Sequence, residues 1–323
     1  MVGYCNPVFL NIKMGSNEMS SKYKIWFNGE IRESDDCKVH VQSHALHYGS
    51  SVFEGVRAYK TLQGTAFLRL DEHLERLFNS AAVYRIPIRY SFEELRQACF
   101  DTVREAGLES AYIRPLVARG NCGLGVIPKD FDAVDISIMV DSWGAYLGED
   151  GIKNGISACI TSWQRLAPNT IPTGVKAGGN YLSSQLIGFE AMDRGFDEGI
   201  ALGRDGLLSE GAGENLFLIK NGRILTPPAS ASILGGITRD TVFTLVNDLG
   251  MEVVEQTLSR EQIYAADEVF FTGTAVEITP VRQVDHITIG NGGCGPVTKR
   301  IQTAFFGLFN GVTEDKHNWL AHL

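Results

Sequence analysis

The sequence lacks the features that mark membrane proteins and nucleic-acid-binding proteins. No run of its 323 residues approaches the roughly 18 consecutive apolar residues of a membrane helix. Its 29 Lys and Arg residues are outnumbered by 38 Asp and Glu residues, giving a net charge of −9, and they form no dense basic cluster. We therefore expect neither a membrane nor a nucleic-acid partner. An anionic ligand has to be held by a few individually placed cations.

Signals for disulfides, metals and dinucleotides are equally sparse. The six cysteines are scattered and form no C-x-x-C pair, which is typical of reduced thiols in a cytoplasmic protein. His40, His44 and His47 lie close together, but no fourth ligand has zinc-site spacing, so no metal is predicted. The G-x-G at Gly211 and Gly213 lacks the third glycine of a dinucleotide fingerprint. The first residues contain no basic region followed by a cleavage pattern, so we expect no signal peptide.

What is present indicates α/β (α+β) architecture in two domains, since a domain averages about 150 residues. Hydrophobic periodicity predicts strands over 24–31, 51–59, 65–70, 111–118, 133–140, 157–162, 198–202, 214–220, 223–225, 252–257 and 268–272. It predicts helices over 71–84, 180–195, 238–249 and 297–309, and one between Ser91 and Gly107 that opens with a Ser91–Glu94 capping box. We expect a flexible extension over 1–22, a smaller domain over 23–145, a glycine-containing linker over 146–155 and a larger domain over 156–323. Ligands usually bind in the cleft between two such domains.

Lys176 lies in the small-residue segment 173–181, just before a predicted helix. Most lysines are solvated surface residues. Here, however, the neighbouring glycines leave room for a planar group against the backbone. A desolvated lysine loses its proton more readily and becomes a nucleophile toward carbonyl groups. Tyr181, at the start of the predicted helix, lies within reach of the same site.

Glu210 lies in the segment 209–217, between a predicted strand and a glycine turn. One interpretation is a turn carboxylate in water. The other is a cleft carboxylate that pairs with a heteroaromatic cation such as a pyridinium. The residues alone leave both interpretations open.

Two segments have the composition of phosphate-binding sites. Residues 235–240 open a helix, whose free N–H groups and positive dipole end attract anions, and Thr238 adds a hydroxyl donor. Residues 272–275 form a small-residue turn after a strand, a second possible group of N–H donors. Arg76 has the charge that a phosphate requires, although a solvated helix arginine is an equally good interpretation.

Tyr112 and Arg114 lie on the same side of one predicted strand, because side chains alternate along a strand. An arginine in this position is suited to bidentate binding of a carboxylate. The alternative is an arginine on a solvated strand surface.

Taken together, these segments resemble the class IV (fold-type IV) pyridoxal-phosphate aminotransferases, and within them the branch that acts on branched-chain amino acids. The resemblance extends from about residue 23 onward and rests on seven motifs in the same order. They are SHALHYGSSVFEGVRAY, AYIRPL, PNTIPTGVKAGGNYLSS, SEGAGENLF, GITRD, FFTGTAVEITPV and GPVTKRIQTAFFGLF. The resemblance implies a two-domain fold with pyridoxal 5′-phosphate in the interdomain cleft. The C-x-x-C pair of the mammalian members is missing, so thiol gating is not expected.

The resemblance also implies roles around the cofactor. Lys176 would bind the cofactor covalently and carry the proton between the substrate Cα and the cofactor C4′. Glu210 would pair with the pyridine nitrogen, and Tyr181 would bind the phenolic oxygen of the ring. The phosphate ligands would be Arg76, Ile237, Thr238 and Thr274.

For the substrate, the resemblance implies one pocket that accepts both an aliphatic amino acid and glutamate. The α-carboxylate would bind Tyr112 and the N–H groups of Thr274 and Ala275, and Arg114 with Tyr48 would bind the second carboxylate. The pocket walls would be Phe53, Tyr48, Trp143 and Tyr146, with Leu124 and Val126 on a loop from a partner subunit. We expect a homo-oligomer, either a dimer or a hexamer built from dimers.

The activity implied is transamination of L-leucine, L-isoleucine and L-valine with 2-oxoglutarate by a ping-pong mechanism, in biosynthesis or degradation. Its partners would be amino acids and 2-oxo acids, in the cytoplasm. The same fold also serves D-amino acid aminotransferases, R-selective amine transaminases and 4-amino-4-deoxychorismate lyase, all of which share the lysine and the glutamate. A protein that binds the cofactor without turnover is a further alternative, against which the intact Lys176 and Glu210 argue.

Overall fold

The computed structural model describes residues 23–142, 144 and 147–323. The predicted extension over 1–22 and two predicted pocket residues, Trp143 and Tyr146, lie outside the described residues. Within the described ranges, no helix is both long enough and apolar enough to cross a membrane.

The described residues form two sheets with helices packed against them. The strands are β1 (Ile25–Phe27), β2 (Glu30–Arg32), β3 (Ser51–Phe53), β4 (Val56–Thr61), β5 (Gly64–Leu68), β6 (Ala111–Arg119), β7 (Val134–Asp141), β8 (Ile156–Gln164), β9 (Glu198–Leu202), β10 (Leu208–Gly211), β11 (Asn215–Lys220), β12 (Arg223–Thr226), β13 (Val253–Glu255), β14 (Glu268–Gly273), β15 (Glu277–Val284), β16 (Ile287–Thr288) and β17 (Leu320–His322). The helices are α1 (His44–Tyr48), α2 (Leu70–Val83), α3 (Phe92–Ala106), α4 (Gly148–Asn154), α5 (Tyr181–Asp193), α6 (Ile237–Asp248), α7 (Arg260–Tyr264) and α8 (Pro296–Asn310).

The first sheet is antiparallel and has the order β17-β5-β4-β6-β7-β1-β2, with β3 paired to β6. The second has the order β10-β9-β8-β15-β14-β11-β12-β13, with β16 paired to β15. The second sheet is mixed, because β8 runs parallel to both β9 and β15. The predicted mixed α/β class is therefore confirmed.

Two predicted strands are interrupted in the structure. The strand predicted over 24–31 is a hairpin of β1 and β2, because Asn28 (φ 51°) and Gly29 (φ 103°) both adopt the positive φ of a tight hairpin turn. The strand predicted over 51–59 is divided into β3 and β4 at Glu54, whose buried carboxylate belongs to the site described below. There is no turn at this point, since β3 and β4 pair with β6 in the same register.

The helices on the first sheet agree more closely with prediction. The Ser91–Glu94 capping box is present, and α3 ends at Gly107 in the left-handed conformation.

The strand β15 carries no clear sequence signal, since Pro280 argues against a central strand. It nevertheless lies between β14 and β8, where it pairs with both.

The chain departs from the predicted division at two points. The predicted linker contains a helix, α4, which packs on β15. The strand β17, predicted to belong to the second domain, pairs with β5 of the first sheet. Between the two sheets, side chains of β5, α6 and α8 share one apolar cluster with Trp319. The two sheets are thus joined by packing as well as by the chain.

Candidate active site

A cleft lies beside α5 and α6, and residues distant in sequence meet in its walls. Its lining includes Lys176, Tyr181, Glu210, Arg76, Thr238 and Thr274. Ile237 also lines it. Each residue for which the sequence predicts cofactor contact therefore borders one cleft.

Lys176 lies on the loop before α5, with its side chain half-buried. Its Nζ donates a hydrogen bond to the Tyr181 hydroxyl over 2.7 Å and lies 5.1 Å from the centre of the Phe53 ring. The loop is held by the Phe53 N–H, which donates to the Lys176 carbonyl over 3.1 Å. A Cβ at Gly178 would overlap the Ser51 hydroxyl, so this glycine permits close approach of the loop to β3. The small residues thus serve backbone packing that positions the lysine.

Glu210 lies on β10, the edge strand of the second sheet, and its carboxylate is buried. Arg165 forms an ion pair with it over 2.6 Å, and the Asn215 side chain and the Leu234 N–H donate to it over 2.9 and 3.1 Å. Burial raises the pKa of Glu210 to about 7, against the opposing charge of Arg165. The turn carboxylate in water is therefore excluded. Glu210 is poised to pair with a cation that enters the cleft.

Arg76 is held from behind by Glu54, a residue that the sequence did not single out. Its Nε and Nη2 donate to the Glu54 carboxylate over 2.6 and 2.9 Å, and its Nη1 donates to the Gly235 carbonyl over 2.8 Å. His73 also contacts Glu54, with 2.7 Å between Nδ1 and Oε2. This bidentate pair fixes the guanidinium at the start of α6. The break between β3 and β4 is what brings Glu54 to α2.

The end of the cleft near α6 provides donors for an anion. Gly236 precedes α6 and contributes no side-chain cap, so the first N–H groups of the helix have no capping side chain. Thr238 is buried in the first turn, and Thr274 follows β14 on the facing side. Together with Arg76 they provide the donors that an anion such as a phosphate requires.

These residues fit pyridoxal 5′-phosphate. A buried carboxylate, a lysine and a set of anion donors all line the same cleft. In addition, the buried Thr272 hydroxyl lines the cleft without a hydrogen-bond partner among the described residues. The donor set thus matches a phosphorylated pyridine aldehyde at each of its functional groups.

The predicted substrate residues Tyr112, Arg114 and Phe53 lie together on the first sheet. Arg114 donates to the Tyr112 hydroxyl over 2.7 Å, and its guanidinium carbon lies 4.6 Å from the centre of the Phe53 ring. Phe53 in turn packs on Tyr181, with 4.8 Å between the ring centres. An apolar ring and a cation are therefore adjacent beside Lys176. Ala275 follows Thr274 in the facing turn and is half-buried.

Tyr48 is not brought to this cleft. Its hydroxyl donates to the Leu124 carbonyl over 2.7 Å, and its ring lines a separate cleft with Val126. Tyr48, Leu124 and Val126 are all exposed. Tyr48 and the loop around Leu124 thus form one apolar surface in a second cleft, whose lining includes Ala177 but not Lys176.

Replacement of Glu54 by glutamine should destabilise the protein and weaken cofactor binding. Burial opposes ionisation of Glu54, but Arg76 and His73 outweigh it and lower the pKa from 4.5 to about 2. Removing one partner of a buried ion pair costs about 3–5 kcal/mol. We expect that loss in urea unfolding at neutral pH. Because the folded-state pKa is lowered, the wild-type advantage should disappear as pH falls from about 4.5 toward 2.

The solvent-exposed pair Lys60–Glu109 provides the control for this variant. Its loss through Glu109→Gln should change stability by less than about 1 kcal/mol. Equal stability of Glu54→Gln and Glu109→Gln would contradict the role given to Glu54.

Comparison with known proteins places these features in context. The sequence model of the family described as Amino-transferase class IV matches residues 51–284. The chain is 58% identical over 296 residues to the branched-chain-amino-acid aminotransferase of Escherichia coli strain K12, covering 92% of this chain and 96% of that protein. The crystal structure of an Escherichia coli branched-chain amino acid aminotransferase gives a TM-score of 0.92 at 57% identity, covering 93% of this chain and 99% of that one.

A further solved structure is informative about ligands. The T.th. branched-chain amino acid aminotransferase complexed with N-(5′-phosphopyridoxyl)-L-glutamate gives a TM-score of 0.87 at 41% identity. The alignment covers 93% of this chain and 98% of that one. The similarity therefore includes both sheets and the cleft.

Proposed function

The chain belongs to the class IV aminotransferase family, and we propose that it exchanges amino groups between L-leucine, L-isoleucine or L-valine and 2-oxoglutarate by a ping-pong mechanism. It is an enzyme of branched-chain amino acid transamination, and its cofactor is pyridoxal 5′-phosphate. The D-amino acid aminotransferase and lyase alternatives are not favoured, because relatives of high identity carry the branched-chain activity.

The observation that carries the substrate assignment is the contact between Arg114 and Phe53. The guanidinium lies 4.6 Å from the ring centre, beside the 5.1 Å contact between Lys176 Nζ and the same ring. An aliphatic side chain can pack on Phe53, and the distal carboxylate of glutamate can pair with Arg114. One pocket thus serves both substrates of the ping-pong cycle without a second site.

Lys176 and Tyr181 carry the proton chemistry in this proposal. When bound, the cofactor withdraws electrons from the substrate Cα and so acidifies its proton. Lys176 Nζ takes that proton from the substrate Cα and, on the same side of the cleft, donates it toward the cofactor C4′. The Tyr181 hydroxyl, 2.7 Å from Nζ, orients the amine. Glu210 would supply the negative charge that pairs with the ring nitrogen of the cofactor.

The remaining residues hold the two anionic groups. Arg76, fixed by Glu54, and the first turn of α6 bind the phosphate, with Thr238 and Thr274 adding hydroxyl donors. The Tyr112 hydroxyl and the N–H groups of Thr274 and Ala275 bind the substrate α-carboxylate.

We place Tyr48 in the pocket of a second copy of the chain. Tyr48 is exposed and bonded to the loop that carries Leu124 and Val126. Tyr48 and this loop are therefore connected as one apolar surface. That surface would be covered if it closed the cleft of a partner subunit. This arrangement supports a homo-oligomer of at least two chains.

A cytoplasmic location is supported by the cysteines. Cys37, Cys99, Cys122, Cys159 and Cys294 are all free thiols. Burial raises the pKa of Cys99 to about 12 and that of Cys159 to about 11, so these two are poor nucleophiles. A reducing compartment fits five unpaired thiols within the described part of the chain.

Half-reactions followed by absorbance test the function. L-leucine alone, without a 2-oxo acid, should convert the band of the lysine-bound cofactor into that of the aminated cofactor, and L-glutamate should do the same. D-alanine should leave the spectrum unchanged. Conversion by D-alanine and not by L-leucine would move the chain to the D-amino acid branch.

The variant Arg114→Gln separates the two substrates. Loss of a cation that pairs with a buried carboxylate costs roughly 2–5 kcal/mol, so the L-glutamate half-reaction should slow by about 100-fold. The L-leucine half-reaction should remain within about fivefold, because the Phe53 surface is retained. Equal loss with both amino acids would refute the assignment of Arg114 to the distal carboxylate.

A further inference from the structure

Two buried glutamates lie side by side behind the turn that follows Glu210. Glu198 begins β9, Glu214 precedes β11, and the carboxyl groups of both are buried and hydrogen-bonded to each other. Both also bind the same turn: the Ala212 N–H donates to Glu198 over 3.4 Å, and the Gly213 N–H donates to Glu214 over 2.8 Å. The pair thus supports the loop that leads away from Glu210.

The turn is built around this pair. A Cβ at Gly211 would lie only 2.6 Å from Glu214 Oε2, so the carboxyl group of Glu214 covers the backbone directly after Glu210. Glu214 also lines the cleft that contains Lys176. Its location connects the pair to the cofactor site.

Within the part of the chain that the structure describes, no cation neutralises either member. Neither Glu198 nor Glu214 forms an ion pair within 4.0 Å of a described residue, whereas Glu210 is paired with Arg165. The other charged groups that act on the pair are Asp197, Glu210 and Lys176. The Asp197 carboxylate is bound by Ser157 and is half-exposed, which places it outside the buried group.

Two buried carboxyl groups in contact, with no described cation within ion-pairing distance of either, cannot both be ionised. Burial raises the pKa of both Glu198 and Glu214, and the neighbouring Glu198 charge raises that of Glu214 further, well above 4.5. Glu198 is the better stabilised of the two as a carboxylate, because it accepts hydrogen bonds from the Gly199 and Ala212 N–H groups and from Glu214. A shared proton removes the conflict, because a protonated carboxyl group donates to its neighbour.

We propose that Glu198 and Glu214 hold one proton between them, carried by Glu214, so that a single negative charge lies behind Glu210. Both are positioning residues: Glu214 buttresses the turn as a neutral donor, and Glu198 carries the single charge of the pair directly behind Glu214, which lines the cleft with Lys176. This inference rests on the proposed role of Glu210. It predicts unequal effects for two nearly isosteric substitutions.

The matched variants are Glu214→Gln and Glu198→Gln. The first replaces a neutral donor by another, so the pH midpoint at which the absorbance of the lysine-bound cofactor changes should stay within about 0.3 pH unit. The second removes a negative charge and should lower that midpoint by about 1 pH unit, because the lysine nitrogen then holds its proton less tightly. A purely structural role would alter stability without this asymmetry.

An infrared measurement on the cofactor-free wild-type enzyme needs neither substrate nor turnover. The pKa of Glu210 is about 7, so this group is ionised at higher pH. Above that pH the carbonyl band of a protonated carboxylic acid should persist in the wild-type enzyme and should vanish in Glu214→Gln. This result stands even if the proposed transamination fails, so the two failures are distinguishable.

Three outcomes would overturn the shared proton. They are the absence of the infrared band from the wild-type enzyme, an equal downward shift of the absorbance midpoint in both variants, and a shift in neither. Retention of the band in Glu214→Gln would place the proton elsewhere and would equally reject the assignment.

Discussion

The variant Lys176→Ala is expected to lose transamination by at least about 10⁴-fold in kcat, because one side chain provides both the covalent attachment and the proton transfer. The only hydrogen bond that the described contacts give its Nζ is that to Tyr181, over 2.7 Å. Among the described residues that line the cleft, no other side chain carries an amine. Turnover in both half-reactions should therefore fall together.

Stability separates this loss from misfolding. Lys176 is half-buried, and its backbone contacts with Phe53 and Ser80 do not depend on its side chain. The free energy of unfolding of the cofactor-free variant should thus stay within about 1 kcal/mol of wild type. The absorbance band of the lysine-bound cofactor should be missing, while bound cofactor remains detectable after denaturation. Turnover at the wild-type rate would remove Lys176 from the mechanism.

The second large effect is expected for Glu210→Gln, with kcat reduced by about 10²–10³-fold. The carboxylate provides the negative charge that would pair with the ring nitrogen of the cofactor, and glutamine preserves its shape without that charge. Asn215 and the Leu234 N–H still find an oxygen to bind. Glu109→Gln, which makes the same substitution at a solvent-exposed carboxylate outside the cleft, serves as the matched control and should retain activity within about threefold.

Activity falls in Glu210→Gln, but its free energy of unfolding should improve relative to that of the wild type as the pH rises. In the cofactor-free enzyme the pKa of Glu210 rises from 4.5 to about 7, chiefly through burial. A raised folded-state pKa contributes stability that is fully present below pH 4.5 and is lost as pH rises through about 7. Above that pH, Glu210→Gln should therefore gain about 3 kcal/mol on the wild type relative to pH 4.5. Denaturant unfolding at several pH values measures this difference, and parallel pH profiles would contradict it.

Sequence and structure agree where function depends on local pattern. Lys176 and Glu210 are recognisable because small residues and a glycine turn surround them, and the structure places both in one cleft. Arg165 and Glu54 carry no such signal. Each acts through a partner more than twenty residues away, 45 for Arg165 with Glu210 and 22 for Glu54 with Arg76, as the residue numbers show. Pairings of that kind are set by the order of strands in the sheets.

Tyr48 shows a second limit of sequence reasoning. A motif indicates that a residue belongs to a site without indicating whose site it is. Tyr48 and Phe53 belong to the same sequence motif, yet only Phe53 faces the lysine of its own chain. The helix α1 and its hydrogen bond to the loop at Leu124 orient Tyr48 the other way. Such a division between two surfaces depends on tertiary packing.

The pairing of β17 with β5 has a consequence for the order in which the protein is made. Leu320 pairs with Leu68, and the Arg69 N–H donates to the Trp319 carbonyl over 2.7 Å, across about 250 residues of chain. On the ribosome, the early half of the chain emerges long before this edge strand exists. Its sheet keeps an open edge at β5 throughout that time, a site where another strand can add. The edge closes only when residues 319–322 have left the ribosome and β17 pairs with β5. We therefore expect ribosome-bound chains stalled before residue 319 to depend most on a chaperone.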